Sequence, residues 1–192
     1  MSQKVWVRRE KAGGEKSQIP EARPIEHPPS DLTAIKNEGD TFVFSSFTAD
    51  DAWHLGNLLR TRLAPLVHHN NTPTLISISL ANSNQVVFQC VSGPGTTPDN
   101  ETWVQRKRNS VLRFGCSTWY LHCKYAGNEE AFRLKFGMGA EQASQYAIHG
   151  GAIPIRVAGV EGIVAVVIVS GLKQHEDHGV IVEVVKENWQ MV

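Results

Sequence analysis

A run of seven apolar residues near the C-terminus, residues 163–169, most constrains how this chain can fold. Its side chains are mostly β-branched, and it is bounded by Gly162 and by Ser170-Gly171. Because the run is far shorter than the roughly 20 residues that cross a bilayer as a helix, it predicts a fully buried strand. A second strand is predicted at Ala152–Val157, where Pro154 cannot donate a ladder hydrogen bond and so indicates an edge strand or a bulge.

Three further strands and three helices are predicted from the hydrophobic pattern of the rest of the chain. Residues 74–80 alternate between apolar and polar side chains, and residues 86–91 form another extended run. The connection between them is too short for a helical crossover, so the pair predicts an antiparallel hairpin. A short strand is predicted at residues 41–44. Apolar side chains at helical spacing predict helices from Thr48 to about Asn70, from Pro98 to about Gly127 and from Gln174 to Trp189.

These elements predict an α+β fold with a central, mostly antiparallel sheet of about five strands flanked by helices. A single domain is expected at residues 39–192, because 41% hydrophobic side chains in 192 residues suffice for a core of ordinary size. Residues 1–38 hold four of the nine prolines and predict a mostly flexible N-terminal arm. Within it, residues 5–7 are interpreted as an added short strand, a contact to a neighbouring subunit or part of a loose tail.

The charge and cysteine content narrow the classes of partner and compartment. With 19 basic and 19 acidic residues, the chain has no global field that recruits nucleic acid or an anionic membrane. The first residues lack the apolar core of a secretory signal, so a cytoplasmic protein is expected. Cys90, Cys116 and Cys123 are odd in number and include no Cys-x-x-Cys pair, which argues against a disulfide framework and a structural zinc site.

Lys107 lies between Trp103 and Val111 on the apolar stripe of its predicted helix. A lysine in that place either extends its ammonium to the solvent rim, which is the ordinary outcome, or holds an anion in a pocket. The triplet Arg106-Lys107-Arg108 has no interleaved aromatic side chains for base stacking. It therefore makes a poor nucleic-acid footprint, and no nucleic-acid partner is predicted.

Cysteines and histidines supply the other candidate ligands. Cys116 and Cys123 are seven residues apart, which places them on one face of a continuous helix, either as thiolate ligands or, more commonly, as small buried hydrophobes. His149 stands before two glycines at a strand entrance, and His178 follows an acidic run. Neither has a second histidine at a convincing ligand spacing, so no metal site is predicted.

Several short motifs occur in a fixed order along the chain: Phe44-Ser45-Ser46-Phe47, Asp51-Ala52-Trp53, Pro98-Asp99-Asn100, Gly150-Gly151-Ala152-Ile153-Pro154-Ile155, Val169-Ser170-Gly171-Leu172 and Asp177-His178. Together they resemble the haem-degrading domain family, also called GlcG/HbpS-like, and particularly its branch of small cytosolic proteins, over residues 42–189. The resemblance implies a profilin-like layered fold, a homo-oligomer and, for some relatives, binding or oxidative breakdown of haem. Members of the wider family carry Asp-Glu where this chain has Asp177-His178.

A candidate ligand site is placed where two glycine-bearing strand ends meet the helix that begins at Pro98. Glycine lets a ligand approach backbone amides closely, and basic side chains on the helix can meet a carboxylate. If haem is the ligand, His149 or His178 is the candidate axial ligand. The predicted site residues are Asp99, Asn100, Arg106, Lys107, His149, Gly150, Gly151, Ser170, Gly171, Asp177 and His178, and no catalytic residue is assigned.

Three functions from different classes stay open at this point. The leading one is an oligomeric protein that binds a small carboxylated ligand or haem. The second is an oligomeric adaptor in a chaperone or protein-targeting network, which uses its arm or its C-terminal residues 189–192. The third is an enzyme on an unrelated small metabolite, with a histidine and the Asp99-Asn100 turn as acid and base.

Overall fold

A computed structural model describes residues 5–8, 21–40 and 42–191 of the chain. These residues form seven strands and seven helices, and the predicted α+β fold is confirmed. The strands are β1 Trp6–Arg8, β2 Val43–Phe44, β3 Leu75–Leu80, β4 Val86–Val91, β5 Ala152–Val157, β6 Ala165–Ser170 and β7 Trp189–Met191. The helices are α1 Leu32–Glu38, α2 Ala49–Asn70, α3 Pro98–Phe114, α4 Thr118–Lys124, α5 Glu129–Lys135, α6 Ala140–Ala143 and α7 Gln174–Asn188.

All seven strands belong to one sheet with the order β4-β3-β6-β5-β2-β1-β7. The five predicted strands are β2 to β6, and β3 and β4 form the predicted antiparallel hairpin. The pairs β3·β6, β5·β6 and β1·β7 are also antiparallel, whereas β2 runs parallel to β5 and to β1. The sheet is therefore mostly antiparallel, and β1 and β7 extend it at the β2 side.

Pro154 lies in an interior strand whose register with β6 is continuous, so neither the predicted edge strand nor the predicted bulge is found. The Arg156 N–H donates to the Phe42 carbonyl oxygen on the β2 side of β5. Because alternate residues of a strand point their N–H groups to the same side, the Pro154 nitrogen also faces that side. The two-residue β2 pairs with β5 only at Arg156 and Val157, so no ladder bond is lost at the proline.

Helices cover both faces of β6, which explains its uninterrupted apolar sequence. Val167 and Val169 pack in the large core that α2 and α7 complete, with Leu59 and Ile181 among its fully buried members. The alternate residues of β6 pack on the other face, in a smaller cluster with Val104 of α3. The predicted buried strand is confirmed from Ala165 on, since every residue of β6 is buried, whereas Ile163 and Val164 precede the strand and are half-buried.

The predicted continuous helix after Pro98 is wrong, because it breaks at Gly115. That glycine adopts a left-handed conformation, φ 69°, and caps α3 through a bond from its N–H to the Val111 carbonyl oxygen. Ser117 then caps α4, since its side chain accepts a hydrogen bond from the Tyr120 N–H. Cys116 lies in the break, so it does not share a helix with Cys123.

Residues 21–38, which the sequence analysis assigned to the arm, lie against the domain. Ile25 packs on the large core, and Ile35 of α1 is buried. The Trp119 indole N–H donates to the Pro29 carbonyl oxygen at 2.8 Å. Trp6 to Arg8 form the short strand that was one interpretation of this segment, while residues 1–4 and 9–20 lie outside the described residues. The boundary at residue 38 and the flexibility of the arm stay predictions.

No helix in the described ranges is long and apolar enough to cross a membrane.

Candidate functional site

A small cavity lies where α3 meets the connection between β6 and α7. His149, which precedes the two glycines before β5, also lines it. The volume of the cavity is about 260 Å³. We call it the α3 pocket; its lining residues are Asn100, Trp103, Lys107, His149, Ser170, Gly171, Leu172, Gln174 and Asp177. Six of these belong to the predicted site: Asn100, Lys107, His149, Ser170, Gly171 and Asp177. The structure thus brings together residues that lie up to 77 positions apart in the sequence.

Lys107 and Asp177 form a buried ion pair in this pocket. The Lys107 ammonium lies 3.0 Å from the Asp177 Oδ2 atom and also donates to the Val169 carbonyl oxygen at 3.0 Å. Only 3% of the lysine side chain and 4% of the aspartate side chain are exposed. The expectation that Lys107 extends to the solvent rim is therefore wrong, because β6 and α7 supply acceptors that keep its charge inside.

Backbone amides hold the carboxylate of Asp177 in place. The Leu172 N–H donates to Oδ1 at 2.9 Å, and the Gly171 N–H donates to Oδ2 at 3.4 Å. Burial nevertheless raises the pKa of Asp177, because desolvation outweighs the lowering effects of Lys107 and of these amides.

Gly151 makes the room that the ion pair needs. Its φ is +113°, a backbone conformation that side-chain-bearing residues rarely adopt. A β-carbon at this position would lie 2.6 Å from Lys107 Nζ and 2.7 Å from Asp177 Cβ, and closer still to the Val169 carbonyl oxygen. The second predicted glycine, Gly150, donates its N–H to the Gln174 side-chain oxygen at 3.3 Å, so it anchors the pocket wall.

His149 lies at the rim of the pocket with an accessible imidazole. Its ring packs edge-on against Trp103, with ring centres 4.8 Å apart. Its Nδ1 lies 3.5 Å from the Glu129 carboxylate but makes no hydrogen bond. Burial lowers the pKa of His149, the charges of Lys107 and Arg106 lower it further, and Glu129 opposes them. The ring is therefore neutral at neutral pH.

His178 does not line the α3 pocket, although Asp177, its neighbour in the sequence, does. It is 1% exposed and lines a different cavity, of about 470 Å³, beside Gly39. Burial lowers the pKa of His178 to about 3, and its Nδ1 has no hydrogen-bond partner. At 1% exposure the His178 ring is closed to the iron of a bound haem, whereas the His149 imidazole is accessible at the rim.

Arg106 and Asp99, two other predicted site residues, lie outside the pocket lining. The Arg106 guanidinium stacks over the Trp103 ring at 4.5 Å, and its Nε donates to the Tyr146 carbonyl oxygen at 3.1 Å. It therefore supports the rim and does not reach the Lys107–Asp177 pair. Asp99 is exposed in the first turn of α3.

Three pocket residues were not among the predicted set: Trp103, Leu172 and Gln174. Trp103 could have been predicted from the sequence, since it precedes Lys107 by one helical turn on the same apolar stripe. The sequence indicates Gln174 less clearly: it is the first residue of α7, shortly after the Ser170-Gly171 end of β6.

The other candidate ligands do not gather into a site. Cys116 is buried, and desolvation together with the nearby charge of Asp40 raises the pKa of its thiol to about 12. In the part of the chain that the structure describes, no three His, Cys, Asp or Glu side chains converge to hold a metal ion. Trp189, in the tail proposed for adaptor binding, is 2% exposed in the core, and Val192 lies outside the described residues.

The fold and its α3 pocket define the class of protein: a layered α+β domain with a small cavity at the C-terminal end of β6. A family model described as "Haem degrading protein HbpS-like" matches residues 47–186. The chain therefore belongs to the HbpS-like family, as the resemblance in sequence indicated.

Relatives in bacteria and yeast are a third or more identical to this chain over the aligned residues. A UPF0303 protein of Streptomyces avermitilis is 35% identical over 83% of this chain and 91% of its own length. UPF0303 protein YBR137W of Saccharomyces cerevisiae is 37% identical over 70% of each chain.

Two solved structures have the same fold. The crystal structure of Ybr137w protein superposes with a TM-score of 0.71 at 33% identity, covering 81% of this chain and 85% of that one. The crystal structure of HbpS gives a TM-score of 0.52 at 15% identity, covering 77% and 92% of the two chains, and supports the fold alone.

Proposed function

We propose that this chain is a small-molecule-binding protein that holds a carboxylated ligand in the α3 pocket. The observation that carries the proposal is the hydrogen bonding of Lys107. An ammonium has three N–H donors, and two of them reach Val169 and Asp177. The hydrogen bonds of the described residues include no third acceptor for this ammonium. A ligand oxygen that enters the pocket would accept that bond, which burial makes strong.

The volume of the pocket limits what part of a ligand enters. Pockets that enclose a drug-sized molecule measure about 300–1,000 Å³, and the α3 pocket, at about 260 Å³, is smaller. It suits a small carboxylate or one carboxylated arm of a larger ligand. The amide side chains of Asn100 and Gln174 in the wall add donors for the same oxygens.

Haem is the larger ligand that the family description suggests, and it carries carboxylate arms. His149 would hold the iron of such a haem, because that imidazole is neutral and lies at the rim. Haem would supply an iron that a neutral imidazole can ligate. The Trp103 ring, which contacts His149 and carries Arg106 over it, would add apolar surface at the rim.

Titration with haem and with iron-free protoporphyrin separates carboxylate recognition from iron ligation. Both are expected to bind saturably at pH 8, by the shift of the Soret band for haem and by fluorescence for protoporphyrin. His149→Gln should abolish the iron-dependent shift and leave protoporphyrin binding, whereas His178→Gln should change neither. Absence of saturable binding of both porphyrins would reject haem as the ligand.

A charge placed in the pocket wall tests the carboxylate directly. Gln174→Glu keeps the oxygen that accepts the Gly150 N–H but adds a negative charge, and it should weaken both porphyrins by about tenfold. Gln145→Glu adds the same charge at an exposed position and should leave both affinities unchanged. Equal effects of the two variants would mean that the carboxylates bind elsewhere.

A homo-oligomer larger than a dimer is part of this proposal, since the family resemblance implies it. Light scattering across micromolar concentrations should give a mass several times that of the 21.2 kDa chain. A mass of one or two chains would contradict it.

A further inference from the structure

A third cavity, of about 630 Å³, lies between α4, the end of α3 and the end of β5. We call it the α4 pocket. Four cationic side chains line it, and the acidic residue in its lining is Asp40. In a chain whose net charge is zero, this concentrates positive charge at one place. The four cations are Lys36, Arg113, Lys124 and Arg156.

Asp40 forms no direct ion pair with Arg113, Lys124 or Arg156, although its charge interacts with that of Arg156 over a longer distance. Its carboxylate is 3% exposed and accepts a hydrogen bond from the Ser117 N–H, which begins α4. No carboxylate of the described residues lies within ion-pair distance of Arg113, Lys124 or Arg156. Three cations of the pocket therefore lack a close anionic partner.

Arg156 holds a fixed donor at this pocket. One terminal nitrogen, Nη2, donates to the Gly115 carbonyl oxygen at 2.6 Å, which orients the guanidinium plane. The other, Nη1, is buried and has no hydrogen-bond partner. An unpaired buried donor on a charged group is costly, so an acceptor on a ligand would stabilise it.

Aromatic side chains form part of the wall. The ammonium of Lys124 lies 6.0 Å from the Tyr120 ring centre, and the Arg113 guanidinium lies 5.2 Å from that of Phe114. Phe136, also in the lining, is 37% exposed. These rings offer flat apolar surface next to the cations.

We propose that the α4 pocket binds a phosphate-bearing anion, with Arg156 and Arg113 contacting the phosphate oxygens. Guanidinium groups match phosphate geometry through paired N–H donors, and lysines add charge to the same site. Two sources share this chemistry, an inorganic polyphosphate and a nucleotide. The assignment is independent of the α3 pocket, since the two cavities share no lining residue.

Calorimetric titration with inorganic pyrophosphate and with adenosine triphosphate, without metal ion and at low salt, tests the proposal. Saturable binding is expected for at least one probe, and it should weaken as salt rises. Arg156→Gln and, separately, Arg113→Gln should each weaken it by about tenfold or more. Lys186→Gln removes one positive charge outside this pocket and should change the affinity less than twofold.

The results of these titrations distinguish a polyphosphate from a nucleotide, and both from the absence of binding. A nucleotide that binds much more tightly than pyrophosphate identifies contacts of the base with the aromatic wall, and equal affinities identify phosphate recognition alone. Arg156→Lys keeps the charge without the planar fork, so a tenfold loss in that variant, with its unfolding transition intact, supports the guanidinium contact. No saturable heat with either probe, or an affinity that Arg156→Gln and Arg113→Gln leave unchanged, would overturn the proposal.

Discussion

Lys107 of α3 and Asp177 of α7 form an ion pair in which Nζ lies 3.0 Å from Oδ2 and both side chains are almost wholly buried. The pair joins a helix on one face of the sheet to the start of a helix on the other. It passes the end of β6, where Lys107 also bonds to the Val169 carbonyl oxygen. The same two residues thus connect the two layers and line the proposed ligand pocket.

Removal of one member of this pair is expected to destabilise the protein strongly. Lys107→Met leaves the Asp177 carboxylate buried without its cation, which costs about 3–5 kcal/mol. The double variant Lys107→Met with Asp177→Asn removes both charges and should lose much less than the two single changes summed. Denaturant unfolding at pH 7 measures the free energy of unfolding of the two single variants and of the double variant.

The exposed pair of Arg133 and Glu130 provides the control for that cycle. The Glu130 side chain is 62% exposed, so Glu130→Gln should change the free energy of unfolding little. Additive effects of the two substitutions at 107 and 177 would show that the buried pair is not coupled.

Gly151→Ala should destabilise the protein more than Gly159→Ala does. Both glycines have positive φ, 113° and 76°, so an alanine is strained at either position, at about 1–3 kcal/mol. A β-carbon at Gly159 meets no atom within 4 Å, whereas one at Gly151 collides with Lys107 and with the end of β6. The difference between the two variants in the free energy of unfolding measures the cost of this crowding. Equal losses of stability would contradict the prediction.

The five strands β2 to β6 and the helices α2 and α7 were predictable because their signals are local. The β-branched run of β6 and the spaced leucines of α2 show their burial in a few consecutive residues. The ion pair was not predictable in this way, since Lys107 and Asp177 lie 70 positions apart and only the fold brings them together. The same limit applies to His178, which was grouped with Asp177 but faces another cavity because adjacent helical residues point in different directions.

The break between α3 and α4 was missed for a different reason. The apolar spacing continues across Gly115, but the glycine adopts a left-handed conformation and Ser117 begins a new helix. The Asp40 carboxylate that accepts the Ser117 N–H comes from a distant part of the chain. The sequence around the break contains the cap residue Ser117. However, Asp40, the partner that stabilises the break, lies far away in the sequence.

The stability of the protein should fall as pH decreases below about 6.5, in part because of His178. The pKa of His178 is lowered to about 3 by burial, whereas in the unfolded chain it lies near 6.5. Between these values the unfolded state binds a proton that the folded state excludes. Stability from this group is therefore full above pH 6.5 and declines by about 1.4 kcal/mol per pH unit towards pH 3.

Comparison with His178→Gln isolates this contribution from the other titrating groups. The raised pKa values of Asp40 and Asp177 act in the opposite direction, since their protonation at low pH favours the folded state. The difference between wild type and His178→Gln in unfolding free energy, followed from pH 8 to pH 4, should show the decline. A difference that stays constant across this range would contradict the assignment.

Deletion of residues 1–29 should cost more stability than deletion of residues 1–20. The segment between these ends packs Ala22 and Ile25 on the core, and the carbonyl oxygens of Arg23 and Pro24 accept hydrogen bonds from Arg62. Ile25 is half-buried, so it contributes part of the roughly 1.5–3 kcal/mol of a fully buried isoleucine, and each hydrogen bond contributes about 1 kcal/mol. The longer deletion also removes the carbonyl that accepts the Trp119 indole N–H.

Thermal unfolding of the two truncated proteins measures the difference directly. At about 2–4 °C per kcal/mol for a chain of this size, the Tm of the longer deletion should lie roughly 10 °C below that of the shorter one. In the full-length chain, Ile25→Ala should reproduce about half of this loss, because it removes the apolar contact and keeps the backbone bonds. Equal Tm values for the two deletions would show that residues 21–29 do not stabilise the domain, and the arm predicted from the sequence would then extend to Pro29.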